Sequence, residues 1–181
     1  MFAIAAMAGL RAGEILGLQV GDFDFPGRVL HVRRSVWRGK LQTTKSVHGE
    51  AMFPMPDALA SIVKEHVLSL KPEQEFLFLN SRGSLFIAEN VVRNHLVPIL
   101  DQLKIPRCGF HAFRHTHTSL LLASGAAPPV AQAQLRHSDA RITLGIYGHI
   151  IGDAHREAVD KVASILASNG LESEPQTKMW Q

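Results

Sequence analysis

The sequence predicts a mainly α domain that carries a small antiparallel β-sheet. Three observations lead there. Apolar residues return at helical spacing in the stretches 57–70, 89–103 and 110–123. One stretch, 28–46, instead reads as two strands folded about Arg38-Gly39. The 181 residues, 46% of them hydrophobic, suffice for one domain with a real core and argue against disorder.

The opening MFAIAAMAGL reads as a buried helix. It is too short to span a bilayer and no basic residue precedes it, so a buried helix is expected here and not a signal peptide. Gly9 breaks this helix and a second one runs over 12–18. Gly21 and the stretch 22–26 mark a turn. Strands over 28–36 and 40–46 follow, and 51–55 can add a third, ended by Pro54 and Pro56. Asp57 is placed to N-cap a helix whose apolar positions are Leu59, Ile62, Val63, Val67 and Leu70. A short apolar run, 76–79, precedes a Ser-Arg-Gly turn. Residues 89–103 are helical in pattern (Val92, His95, Leu96, Ile99, Leu103), with Pro98 expected to kink the helix. The next helix spans 110–123 and ends at Gly125, and a short one covers 129–135. Ser138 caps a helix leading to Tyr147, and Asp153 caps a last one to about residue 168. No repeat is present, and 169–181 is a polar, flexible tail.

The single cysteine, Cys108, excludes an intramolecular disulfide and suits a reducing compartment. Its expected role is a small buried hydrophobe. No apolar run reaches membrane length, so a cytoplasmic protein without membrane contact is expected. Net charge is only +3, but its distribution is uneven: from Arg28 to Lys45 there are six basic residues and no acidic one. A run of charge is ordinarily a solvated face. On a β-ribbon with Trp37 near its turn it is also a phosphate-contacting surface, which makes Arg33, Arg34, Arg38 and Lys40 candidate contacts to DNA.

The chemistry points to Tyr147, the only tyrosine, ten residues after His137 and thirty-three after Arg114. A phenol with a pKa near ~10 is a poor nucleophile at neutral pH. Cationic and imidazole neighbours stabilise both the phenolate and the charge that builds on a phosphorus under attack. Arg114 lies three residues after His111, so on a helix the two share a face. An arginine fork takes two phosphate oxygens at once. Arg11 can supply a second fork and Lys45 a proton. Alone, Arg11 or Arg114 is an ordinary surface arginine; together with His137 and Tyr147 the set suits metal-free phosphoryl transfer. His111 and His115 have the i, i+4 spacing of a helical zinc pair, and His117 lies close by. The position a metalloprotease motif gives to glutamate is Ala112, and no carboxylate lies within 109–138. No metal or other cofactor is expected; His115 and His117 are read as packing or capping residues.

The segments AGLRAGEILGLQVGDFD, HAFRHTHTSLLLASG and LRHSDARITLGIYGHI resemble, in order and spacing, the boxes of the tyrosine recombinases, the phage-integrase family. The resemblance runs from about residue 3 to about residue 150. It implies the DNA breaking-rejoining fold and assigns roles one by one. Arg11 resembles the first arginine and Glu14 the acidic residue that supports the site. Lys45, in QTTKS, resembles the lysine that protonates the leaving oxygen, with Lys40 as its rival. His111 and Arg114 match the H-x-x-R pair, His137 the second histidine and Tyr147 the nucleophile. Arg136 stands where the family has glycine and adds bulk and charge beside the pocket, as a further candidate contact to DNA.

What the resemblance implies is site-specific recombination of double-stranded DNA through a 3′-phosphotyrosyl intermediate. The enzyme would be a monomer in dilute solution and a tetramer on DNA, its C-terminal segment docking in a neighbour. Family members carry an N-terminal core-binding domain, and this chain begins about ten residues before Arg11. Residues 1–168 are thus expected to be an N-terminally truncated catalytic domain whose first helix lacks an apolar partner. The alternative is a remnant that only binds DNA; a topoisomerase-like relaxing enzyme is a third reading.

Overall fold

The computed structural model describes residues 1–43 and 51–135, together with residues 145, 159, 160, 162 and 164. Two helices, α1 (Phe2–Ala8) and α2 (Ala12–Leu16), lead through a 3-10 turn (Val20–Asp22) into the strands. These are β1 (Phe23–Asp24), β2 (Val29–Val32), β3 (Arg34–Trp37), β4 (Lys40–Thr43) and β5 (Ala51–Pro54). Then come α3 (Asp57–Leu68), α4 (Ala88–Val91), a π turn (Val92–Leu96), α5 (Val97–Gln102), α6 (Phe110–Ala123) and α7 (Pro128–Leu135). Among the described residues no helix is long and apolar enough to cross a membrane.

Gly9 ends α1 in the left-handed conformation (φ +64°) and returns its N–H to the Ala5 carbonyl. A Cβ there would stand 2.7 Å from Cδ2 of His117, so glycine is required for space as well as for backbone freedom. α1 buries Ile4, Ala5 and Ala8, and the Phe2 ring lies 5.8 Å from Phe110 and 5.9 Å from Phe113. The expectation of a first helix without an apolar partner is therefore overturned: α6 and α3 cover it. Burying a side chain of the size of Ile4 contributes about 2 kcal/mol, enough to place α1 firmly in the core.

The stretch 28–36, expected as one strand, is two strands that belong to different sheets. β2 pairs antiparallel with β1 and with β5, placing Leu30 opposite Phe23 on one side and Phe53 on the other. β3 pairs instead with β4 in a separate hairpin, Trp37 opposite Lys40, about the expected Arg38-Gly39 turn. The chain breaks at Arg33 because a continuous strand would send Arg33 and Arg34 to opposite faces, whereas both reach Asp22. The stretch 22–26 is likewise not all turn. Its first residues finish the 3-10 turn and form β1, and the chain reverses over 25–28, where the Gly27 N–H bonds Asp24 Oδ1 at 2.9 Å.

Three helices differ in detail from expectation. α2 stops at Leu16 with Gly17 as its C-cap, and the Leu18 carbonyl accepts the Leu77 N–H at 2.8 Å. Asp57 is the first helical residue of α3, not its cap; Pro56 takes that place and the Asp57 carboxylate holds Arg28 at 2.9 Å. Ile62 sits on the flank of the α3 stripe and is 44% exposed, while Leu59 and Val63 are buried. Over 88–102 the buried residues are Val91, Leu96 and Leu100, where the sequence pattern points to Ile99 and Leu103. The π turn inserts one residue ahead of Pro98, lengthening the first interval to five and rotating the buried face onto Leu100. Cys108 is half-buried, not buried.

Candidate active site

Arg11 is the N-cap of α2, in extended backbone just before the helix starts. Glu14, three residues on, turns back: Oε2 accepts the Arg11 backbone N–H at 2.9 Å and Oε1 accepts Nη1 at 3.0 Å. One carboxylate thus caps the helix and orients the guanidinium. The Glu14 side chain is 9% exposed and that of Arg11 46%, so the pair presents its cationic end to solvent.

Arg114 reaches the same turn from α6. Its Nη1 donates to the Gly9 carbonyl at 2.7 Å and its Nη2 to the Leu135 carbonyl. Gly9 precedes Arg11 by two residues, a span of roughly 7 Å at most. Leu135 precedes His137 by two residues in sequence. Arg114 therefore ties the segment that delivers the first arginine to the end of α7, and the two carbonyls fix the plane of its guanidinium. The Thr118 hydroxyl donates to the Arg114 carbonyl at 2.8 Å, a bond back along the helix.

Two further side chains hold the end of α1, His117 in a capping role expected from the sequence and Gln134 in one the sequence did not suggest. A helix leaves its last carbonyls without partners. The Ala6 carbonyl meets Nδ1 of His117 at 2.9 Å and the Ala8 carbonyl meets Nε2 of Gln134 at 3.5 Å. Nδ1 must carry the hydrogen, since a carbonyl only accepts, and Nε2 is buried with no hydrogen-bond partner among the described residues. His117 follows Arg114 by three residues on α6, so helical spacing alone could have put it on the same face. His111, in the first turn of α6, is exposed, and so is His115. Among the described residues no three of His, Cys, Asp and Glu gather to hold a metal ion.

The basic ribbon divides in two. Arg33 Nη1 lies 3.0 Å from Asp22 Oδ1 and Arg34 Nη1 2.6 Å from Asp22 Oδ2, with Asp22 itself 1% exposed. These two guanidiniums face the interior of the bend. Arg38 and Lys40, at the tip of the hairpin, are exposed, and the Arg38 guanidinium sits 5.7 Å above the ring of Trp37. Lys45, Arg136, His137 and Tyr147 lie outside the described residues.

Residues 1–152 match the model of the phage integrase family. The chain belongs to that family, the tyrosine recombinases. It is 28% identical to a tyrosine recombinase XerC-like protein of Caldanaerobacter subterraneus subsp. tengcongensis, over 88% of this chain and 47% of the relative. It is 24% identical to the integrase of Staphylococcus phage L54a, over 90% and 51%. Among solved structures, the Tn1549 transposon integrase in complex with transposon right end DNA superposes with a TM-score of 0.76 at 26% identity, covering 89% of this chain and 57% of that one. The XerA recombinase, at 22% identity and a TM-score of 0.69, shares the fold. The chain spans about half the length of the curated relatives it matches.

Proposed function

We propose that the protein cleaves and rejoins double-stranded DNA as a site-specific recombinase, with Tyr147 as nucleophile. Tyr147 Oη attacks a backbone phosphorus, the bond to the 5′-oxygen breaks, and a 3′-phosphotyrosyl link holds the strand. Arg11 and Arg114 stabilise the non-bridging oxygens and His137 donates a further hydrogen bond. His111 takes the phenolic proton; Lys45, or its rival Lys40, gives a proton to the departing oxygen. Because the phosphotyrosine conserves the energy of the broken ester, a second 5′-hydroxyl can reverse the step without a nucleotide cofactor. Arg38 and Lys40, with Arg136, are the basic residues proposed to meet the duplex, and Arg33 and Arg34 act on the fold instead.

The observation that carries this reading is the convergence of Arg114 and the Arg11–Glu14 pair on one turn. That arrangement of the two arginines supports retained chemistry over a remnant that only binds DNA. A nicked suicide duplex, whose 5′ fragment diffuses away after cleavage, tests it. The protein should accumulate a denaturant-resistant adduct, and Tyr147→Phe should form none while binding the duplex nearly as well. Adduct from Tyr147→Phe would reassign the nucleophile; binding without adduct by the unaltered chain would sink the enzymatic reading. Sizing the same samples reads assembly, expected to pass from monomer to tetramer only when a two-site duplex is present.

A further inference from the structure

We infer that Asp22 is a positioning residue for proton donation to the leaving group, acting through the orientation of the β3–β4 hairpin. Asp22 sits inside the bend where the three-stranded sheet hands the chain to that hairpin. Its Oδ1 takes Arg33 at 3.0 Å; its Oδ2 takes Arg34 at 2.6 Å and the Gln19 backbone N–H at 2.8 Å. Arg34 Nη1 also lies 3.4 Å from the carbonyl of Gly17, the C-cap of α2, and Arg33 Nη1 3.5 Å from that of Gly21. One buried carboxylate therefore gathers the end of α2, the 3-10 turn and the start of β3.

The hairpin then lies directly on α2. A Cβ on Gly13 would stand 2.5 Å from Ser35 Oγ and 2.6 Å from the Val36 carbonyl, a contact that only glycine allows. Arg11 and Glu14 belong to that same short helix, so the phosphate-binding end and the hairpin share one scaffold. β4 carries Lys40, and Lys45 follows its last residue by two in the sequence. Without the Asp22 carboxylate, the bonds that tie Arg33 and Arg34 to the 3-10 turn are lost, and the start of the arm is no longer held at that point. Proton delivery would suffer while α2, docked on α1, kept Arg11 in place. The inference rests on the reading of Lys45 or Lys40 as the proton donor.

The test replaces the 5′-bridging oxygen at the scissile phosphate with sulfur. Tyr147 then displaces a thiolate, whose conjugate thiol has a pKa near ~8.5 and which leaves without a proton. Asp22→Asn should slow cleavage of the oxygen substrate on the order of 10²-fold, the usual scale of a misplaced catalytic group. On the sulfur substrate it should run close to the unaltered protein. Lys45→Ala and Lys40→Ala calibrate the rescue, because only loss of the true donor should show it. Arg33→Gln loosens the clamp from its solvent side and should show the same rescue on a smaller scale, which decides the matter if Asp22→Asn does not fold. Equal slowing on both substrates, or no slowing on either, would overturn the positioning role. If the unaltered protein cleaves neither substrate, the recombinase reading itself has failed and the inference falls with it.

Discussion

The turn that delivers Arg11 and the hairpin that carries Lys40 are built on opposite terms. The turn is held from three sides: Glu14 from within, Arg114 and His117 from α6, Gln134 from α7. Near its tip Gly39 packs close to Ile87, and the base of the hairpin rests on α2. Val36 is buried there, against α2, while Trp37 at the tip is 62% exposed. A two-stranded ribbon has little stability of its own and takes its orientation from what its base rests on. The contrast fits the proposed chemistry. Groups that bind charge developing on phosphorus act best when fixed in advance, because reorganising them during the reaction costs free energy. A proton donor must reach the leaving oxygen on a duplex that has to enter first, and an arm with a solvated tip leaves that path open.

Substitutions on the two sides should therefore separate rate from stability. Arg114→Lys should have the largest effect, because a point charge cannot replace a fork that spans two carbonyls. Adduct formation should fall about 10²- to 10³-fold, and thermal unfolding should come earlier, by about 1–3 kcal/mol for the carbonyl left unpaired. Unchanged stability would mean that the bonds to Gly9 and Leu135 do not brace the turn. Gly13→Ala should come next, costing about 1–3 kcal/mol by overpacking β3 against α2. A stable Gly13→Ala protein in a denaturant titration would refute the shared scaffold. Trp37→Ala should be the mildest, within about 0.5 kcal/mol in stability, as for other exposed sites. Its effect should instead appear as weaker duplex binding in a salt titration; intact binding would remove the hairpin tip from the DNA surface.

Much of this molecule was legible before its structure. The bounds of α6, the Arg38-Gly39 turn and the break at Gly9 follow from local chemistry: apolar spacing, a turn dipeptide and a residue that accepts positive φ. The three motif boxes were equally plain, and with them the family, because spacing along the chain survives in sequence. What the sequence withheld were the long-range partnerships. The basic run 28–45 reads as one ribbon until Asp22, eleven and twelve residues before its partners, is seen to turn Arg33 and Arg34 inward. The register of the 88–102 helices depends on a π turn ahead of Pro98, which moves the buried face to Leu100; Pro98 signals an irregularity there but not its form. Periodicity placed Arg114 beside His111, but its grip on Gly9 spans 105 residues and exists only once α1 has packed on α6. Sequence thus determined the family and nominated the residues proposed to carry the chemistry, because side-chain type and local spacing are properties of the chain. Tertiary structure alone decided which charges face outward and which are held inside, because that depends on a partner the chain supplies from elsewhere.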